Sequence, residues 1–198
     1  TQGVSSAASD VYKRQGYNSQ GQLGNGSTST GVNGFPAPVL FPPELSSTTF
    51  VDCVAGYAHS FLLTAEGTLL SFGYNDYGQS VTGNFARSLL PVVAPLPDGV
   101  AVASLVSGWG GHSLLLATNG DLYGAGPNLY GQVGDGSTLQ TFSPVVLAPA
   151  SLGGRSVSMI TGGTYHTLAL TTEGALYAWG RNSDGQLGTL PVYLPALT

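Results

Sequence analysis

Apolar and polar positions alternate along this chain in short blocks. Runs of three to five mostly apolar residues, such as "FLL" at 61–63, "TLLSF" at 68–72, "LLL" at 114–116, "LAL" at 168–170 and "ALYAW" at 175–179, are broken by glycine-containing turns. Such runs are too short, and too aromatic at their ends, for amphipathic helices, so they predict strands. The turns "TAEG" at 64–67, "ATNG" at 117–120 and "TTEG" at 171–174 each join two such runs, which is a hairpin signature. A Pro-Val run follows at 37–41, 90–94, 143–147 and 190–194, with its proline at the start or edge of a strand. A further run at 49–55, 101–107 and 156–161 precedes each hairpin, giving four strands per unit.

The units are copies of one another. "GYNSQGQLG" at 16–24, "GYNDYGQSV" at 73–81, "GPNLYGQVG" at 126–134 and "GRNSDGQLG" at 180–188 share Gly-x-Asn-x-x-Gly-Gln. Their first residues, Gly16, Gly73, Gly126 and Gly180, lie 57, 53 and 54 residues apart. His59, His112 and His166 recur 53 and 54 residues apart, and the turn glycines Gly67, Gly120 and Gly174 follow each histidine by 8. A period near 50 with four short strands per unit is what a β-propeller blade requires.

These recurrent residues have architectural roles that need no ligand. The turn glycines supply a positive φ that other residues adopt only at a cost of about 1–2 kcal/mol. Asn18, Asn75, Asn128 and Asn182 suit bonding to their own turn backbone. Gln22, Gln79, Gln132 and Gln186 suit the satisfaction of buried backbone groups between blades, where an unmet polar group costs about 1–3 kcal/mol. Each histidine is expected to tie its hairpin to an adjacent loop. Zinc ligation is disfavoured because equivalent histidines on neighbouring blades stand apart and no acidic or cysteine partner repeats beside them. The glycine-rich loops lack the GK[ST] and the strand-to-helix context of a phosphate loop. No Ser-His-Asp order or carboxylate pair recurs as a catalytic constellation. Neither cofactor nor metal is therefore expected, and no enzymatic activity.

Composition narrows the partners. Charged residues are only 8% of the 198, the net charge is −5, and no lysine or arginine cluster offers a nucleic-acid backbone footprint. No apolar run approaches the about 18 residues of a membrane span. The single cysteine, Cys53, rules out an internal disulfide framework. Residues 1–15, "TQGVSSAASDVYKRQ", do not match the repeat and hold Lys13 and Arg14, two of the five basic residues. They read as a non-repeat leader, disordered or foreign, ahead of a repeat region at 16–198.

The unit "GTYHTLALTTEGALYAWGRNSDGQLG", Gly163 to Gly188, resembles the RCC1 (regulator of chromosome condensation) repeat at nearly every position. The resemblance covers about 16–194. It implies a seven-bladed propeller, so the expected fold is all-β, a partial propeller of about three to four four-stranded blades. Seven units of this length need roughly 370 residues, so the chain reads as a fragment of a longer propeller, one completed by self-association through open blade edges, or a solubly folded arc. There are departures. "SGWGGHS" at 107–113 places Trp109 where the glycine three before histidine belongs, Val81 replaces a final glycine, and only two residues separate Gly188 from Pro191. Plant ultraviolet photoreceptors of this family carry Gly-Trp-Arg-His-(Thr/Ser); "GWGGHS" lacks the arginine and has a longer Trp-to-His spacing, which argues against photoreception.

The expected function is a non-enzymatic protein-interaction scaffold, with variation concentrated in 25–37, 81–90 and 135–143. The resemblance implies an alternative, guanine-nucleotide exchange on a small Ran-like GTPase, although the inserted β-wedge of the family's namesake has no match here. A secreted bacterial binder or inhibitor is a third reading, compatible with the single lysine, and it leaves the compartment open between cytoplasm and exterior.

Overall fold

A computed structural model describes residues 13–147 and 152–189. Its regular elements are thirteen strands and one 3-10 turn, Pro43–Leu45. β1 (Lys13–Asn18) and β2 (Ser29–Pro38) form a two-stranded sheet. β3 (Phe50–Ala55), β4 (His59–Thr64), β5 (Leu69–Gly73) and β6 (Ser88–Val93) form a four-stranded sheet in sequence order. β7 (Val102–Ser107), β8 (Ser113–Ala117), β9 (Leu122–Gly126) and β10 (Thr141–Val146) repeat it, and β11 (Val157–Gly162), β12 (His166–Thr171) and β13 (Leu176–Gly180) supply three strands of another. All pairings are antiparallel. This is the all-β, blade-by-blade architecture the repeat implies. Residues 1–12 of the leader and the expected strand at 190–194 lie outside the described residues, while Lys13, Arg14 and Gln15 begin β1.

The fourth strands start earlier than the Pro-Val run suggests. Ser88 pairs with Gly73, Thr141 with Gly126 and Ser29 with Asn18, so part of each expected outer loop is strand. A register shift then separates this first pairing from the Pro-Val run in each sheet. Proline cannot donate to a ladder, so the run alone understates the strand.

The core lies in slices between blades. Strand side chains alternate between two faces, and each inner strand feeds two slices. In β4, Leu62 joins Val39, Leu70 and Phe72 on one side, while Phe61 and Leu63 join Leu105, Leu115 and Tyr123 on the other. In β8, Leu115 and Ala117 face back to that slice, and Leu114 and Leu116 face forward to Leu147, Ile160 and Ala169. A strand buried on both faces reads as a continuous apolar run, which explains "FLL" and "LLL". β12 shows the contrast. Thr167, Ala169 and Thr171 are buried on one face and Leu168 and Leu170 are half-exposed on the other.

Val81 is the one described non-glycine residue with positive φ, at 60°, and it is fully buried. Its counterparts Gly24 and Gly134 have φ of 63° and 88°, and each lies against the strand-end aromatic of the following blade. A Cβ on Gly24 would stand 2.9 Å from the Phe72 ring, and one on Gly134 would stand 2.5 Å from Trp179 Nε1. The aromatic position of the next blade is Ala125 in β9, and Val81 and Ala125 share one buried cluster. Valine thus fills the volume that an aromatic fills at the other junctions, at the cost of a strained backbone.

Ala125→Phe alone should overpack this junction and lower stability by about 1–3 kcal/mol. Adding Val81→Gly should recover most of that loss. Urea unfolding of the full chain with each single and the double substitution measures the coupling; additive effects would overturn this account.

Candidate functional site

His59 and His166 open the second strand of their blades and His112 lies just before its own; His59 and His112 reach across to the next blade. His59 Nε2 lies 3.1 Å from Ser113 Oγ and 3.0 Å from Ser107 Oγ. His112 Nε2 lies 3.2 Å from Thr167 Oγ1. Ser113 and Thr167 donate from the same hydroxyls to the main-chain carbonyl of the motif glutamine of the preceding blade, Gln79 and Gln132, and Ser60, the equivalent residue one blade earlier, donates to Gln22, each at 2.8 Å. A hydroxyl has one proton. Since it goes to the carbonyl, the hydroxyl must accept from Nε2–H, and this assigns the tautomer of His59 and His112. Their Nδ1 atoms carry the lone pair and are buried without a partner.

Each ring lies close against a glycine of the preceding turn. A Cβ on Gly56, Gly108 or Gly163 would collide with the imidazole of His59, His112 or His166. The N–H of each of these glycines donates to its histidine's carbonyl at 2.9 Å. Gly108 therefore occupies the place that sequence spacing assigns to Trp109. The turn carries one extra residue, Gly110 N donates to Thr164 O at 2.7 Å, and Trp109 is left 75% exposed.

The Gly-x-Asn-x-x-Gly-Gln turns close on themselves. The Oδ1 of Asn18, Asn75, Asn128 and Asn182 accepts from the N–H five residues on, at 2.9–3.0 Å. Their Nδ2 atoms reach into the outer loop, to Ser27 O, Ala86 O, Ser137 O and Thr189 O. The Oε1 of Gln22, Gln79, Gln132 and Gln186 accepts from the N–H two residues back. Sequence reasoning expected these amides to bridge blades. Instead the side chain caps its own turn, and that cap orients the main-chain carbonyl which makes the bridge. Gly73, Gly126 and Gly180 have φ of 100–103° and Gly67, Gly120 and Gly174 have φ of 81–87°, as their turns need. His59 pairs with Gly73 and His166 with Gly180, so histidine and motif stand side by side in the sheet.

That pairing puts both kinds of turn at one end of every blade. The turns before β4, β8 and β12, the Gly-x-Asn turns after β5, β9 and β13, and the outer loops all gather there. The variable positions of these turns hold Tyr17, Tyr57, Tyr74, Tyr77, Trp109, Tyr130 and Tyr165. Tyr17, Tyr57, Tyr77, Trp109, Leu129 and Tyr130 are exposed, several by more than 60%. Tyr74 and Tyr77 meet edge to face at 6.0 Å, and Tyr130 and Tyr165 are tilted against each other at 5.2 Å. The other tryptophan, Trp179, is half-buried and donates from Nε1 to Gln132 O at 3.0 Å. Sequence reasoning missed both the linking hydroxyls and this aromatic end. The residue after each histidine and the aromatics at "x" positions were the available signals. Among the described residues, no three His, Cys, Asp or Glu side chains come together as a metal-ligand set.

Residues 50–79 and 156–186 match one family model of the Regulator of chromosome condensation (RCC1) repeat, and residues 15–63 and 119–170 match another. The chain belongs to the RCC1 repeat family. The ultraviolet-B receptor UVR8 of Arabidopsis thaliana is 34% identical over 155 residues, 75% of this chain and 34% of that protein. The RCC2 homologue of Danio rerio is 34% identical over 144 residues, 70% of this chain and 28% of its own length. Among solved structures, human WBSCR16 aligns with a TM-score of 0.75 at 24% identity, covering 89% of this chain and 44% of that one. Prp20p of Saccharomyces cerevisiae aligns at 0.73 and 22% identity, covering 93% and 45%. These structures share the fold, and the chain spans about a third or less of the two curated relatives.

Burial holds both inner imidazoles below the ordinary value of 6.5. His59 is lowered to about 3, with the charge of His112 as a second cause, and His112 to about 4, with His166 as its second cause. In the unfolded chain these rings protonate near 6.5. Stability should therefore be full above about pH 6.5, decline as pH falls through 6 and 5, and level off near 3–4 where the folded rings finally protonate. Two such rings give a slope of about 3 kcal/mol per pH unit, measurable as urea midpoints between pH 8 and 4. A flat profile would count against neutral interblade histidines. Ser113→Ala removes the hydroxyl that donates to the Gln79 carbonyl and leaves His59 Nε2–H with Ser107 Oγ alone, and should cost about 1–3 kcal/mol in the same assay.

Proposed function

We propose that the chain is a non-enzymatic scaffold that binds a protein partner through the aromatic end of its blades. The observation that carries this reading is the concentration of Tyr17, Tyr57, Tyr77, Trp109 and Tyr130, all exposed, on one end of a rigid sheet array. Tyrosine and tryptophan bring large contact area with few rotatable bonds, and they dominate the binding energy of protein interfaces. Among the described residues, the opposite end has no such cluster. Its hairpins are Thr64–Thr68, Ala117–Asp121 and Thr171–Ala175, all small or polar.

Guanine-nucleotide exchange remains a second proposal. It is supported by a relative named the X-linked retinitis pigmentosa GTPase regulator of Mus musculus, 33% identical over 138 residues but covering 13% of that protein. Nucleotide release from a Ran-type GTPase, unaffected by the chain, would dispose of it.

Photo-crosslinking tests the main reading. A benzophenone amino acid at position 109 or 57 should capture a defined protein in the source cells, while the same probe at Glu66 or Asp98 on the far end should not. Crosslinks confined to the far end, or none from either, would falsify the assignment of this face.

A further inference from the structure

Within the aromatic end, the rings of Tyr77, Tyr130 and Tyr165 border a cleft of about 320 Å3, with Pro127, Leu129 and Gln132 in its wall. The three tyrosines come from three successive blades, so the cleft exists only in the assembled array. None of the residues lining it is charged. The Arg181 guanidinium lies 5.6 Å from the Tyr130 ring centroid and 5.9 Å from that of Tyr165, and it pairs with Asp184 at 3.4 Å. The cation–π partner of these two rings is thus supplied from within the chain. It orders the rings before any ligand arrives, which lowers the entropy lost on binding.

Gln132 shows what the rest of the cleft can take. The residue is only 1% exposed. Its Oε1 accepts from Tyr130 N–H at 2.9 Å, and its main-chain carbonyl accepts from Thr167 Oγ1 and Trp179 Nε1. Its Nε2 donates to no group among the described residues. The other buried polar side chain of the wall, Asn128, is fully engaged. Its Oδ1 accepts from Val133 N–H, and its Nδ2 donates to Asp135 Oδ1 and Ser137 O. The buried part of the wall therefore holds a spare donor and no spare acceptor. A ligand that displaces water here must offer Nε2 an oxygen. An ordinary extended segment brings an N–H with every carbonyl. Proline brings the carbonyl without the N–H. It also brings an apolar ring for the tyrosines and a polyproline II backbone whose carbonyls are unpaired in the free ligand.

We infer that the cleft between Tyr77, Tyr130 and Tyr165 receives a proline-rich segment of a protein partner, with one of its carbonyls accepting from Gln132 Nε2. This rests on the reading of the aromatic end as the interaction face, and it adds the partner's chemistry. Docking of polyproline II on aromatic-lined grooves is a general mode of peptide recognition. A charged side chain would find no opposite charge in the wall.

The test uses the full chain with labelled glutamine amides and tyrosine rings. The ligands are capped hexaproline and two capped peptides of the same length, one of glycine and serine and one of glycine and leucine. Hexaproline should shift the Gln132 side-chain amide and the ring signals of Tyr77, Tyr130 and Tyr165 at millimolar concentration, and the other two peptides should not. Gln132→Glu keeps the oxygen that caps Tyr130 N–H but replaces the donor with an acceptor. It should weaken binding at least about tenfold. Tyr77→Leu and Tyr130→Leu should each weaken it by about three- to tenfold, with backbone spectra unchanged, and they decide the matter if Gln132→Glu does not fold. Equal response to the serine or leucine peptide, shifts that leave the Gln132 amide unmoved, undiminished binding by the variants, or no response up to about 10 mM each overturns the inference. Crosslinking from position 109 or 57 does not involve the cleft, so a cleft without affinity for proline leaves the face itself intact.

Discussion

The array depends on one small linkage, a serine or threonine hydroxyl shared between a histidine and a glutamine carbonyl of the preceding blade. In Ser113 and Thr167 the oxygen accepts from Nε2 of His59 or His112 and the proton goes to Gln79 or Gln132. All three partners are buried, where such bonds are electrostatically stronger and an unpaired group is most costly. The linkage also imposes spacing. The glycine against each ring, the glycine paired beside it and the amide that caps the turn are all needed to bring the three groups into line. Where no further blade is described, the residues of the same motif loosen. His166 is half-exposed, and β13 is half-exposed where β5 and β9 are fully buried.

The apolar slices obey a second constraint, conservation of volume at each junction. Phe72 sits against Gly24, Trp179 against Gly134, and Ala125 in one cluster with Val81. Repeats are therefore constrained in pairs, one residue from each of two neighbouring blades, rather than one unit at a time. A departure in one copy is answered by a departure 44 residues later. The strained φ of Val81 persists because the packed slice holds it there.

The fold was legible because its signals are local. Hairpin turns, short runs and the 53–57 residue period are all read within one unit, and they located every described blade. What was less legible crosses between units. The role of Ser60, Ser113 and Thr167 depends on a carbonyl 34–38 residues away, and spacing cannot reveal that contact. Trp109 was misplaced for a related reason. A one-residue insertion in a turn leaves the hydrogen bond between Gly108 and His112 intact but shifts the count, and only the bond identifies the equivalent glycine. The aromatic end went unnoticed because its tyrosines occupy the positions that a repeat pattern writes as "x".

Those unwritten positions are where a partner must be recognised. In Gly-x-x-His and Gly-x-Asn-x-x-Gly-Gln, the named residues are engaged by the turn or the blade junction. The intervening residues do not enter the linkage, so they can change without loosening the array. Here they are Tyr57, Trp109, Tyr165, Tyr74, Tyr77 and Tyr130, and Tyr77 and Tyr130 are held by the motif glutamines through their main-chain N–H groups. The rigidity that the linkage confers is what lets three tyrosines from three blades border one cleft, since rings already ordered lose little further freedom on binding. Specificity in such an array comes from the variable turn positions, and the repeat motif sets only where they stand.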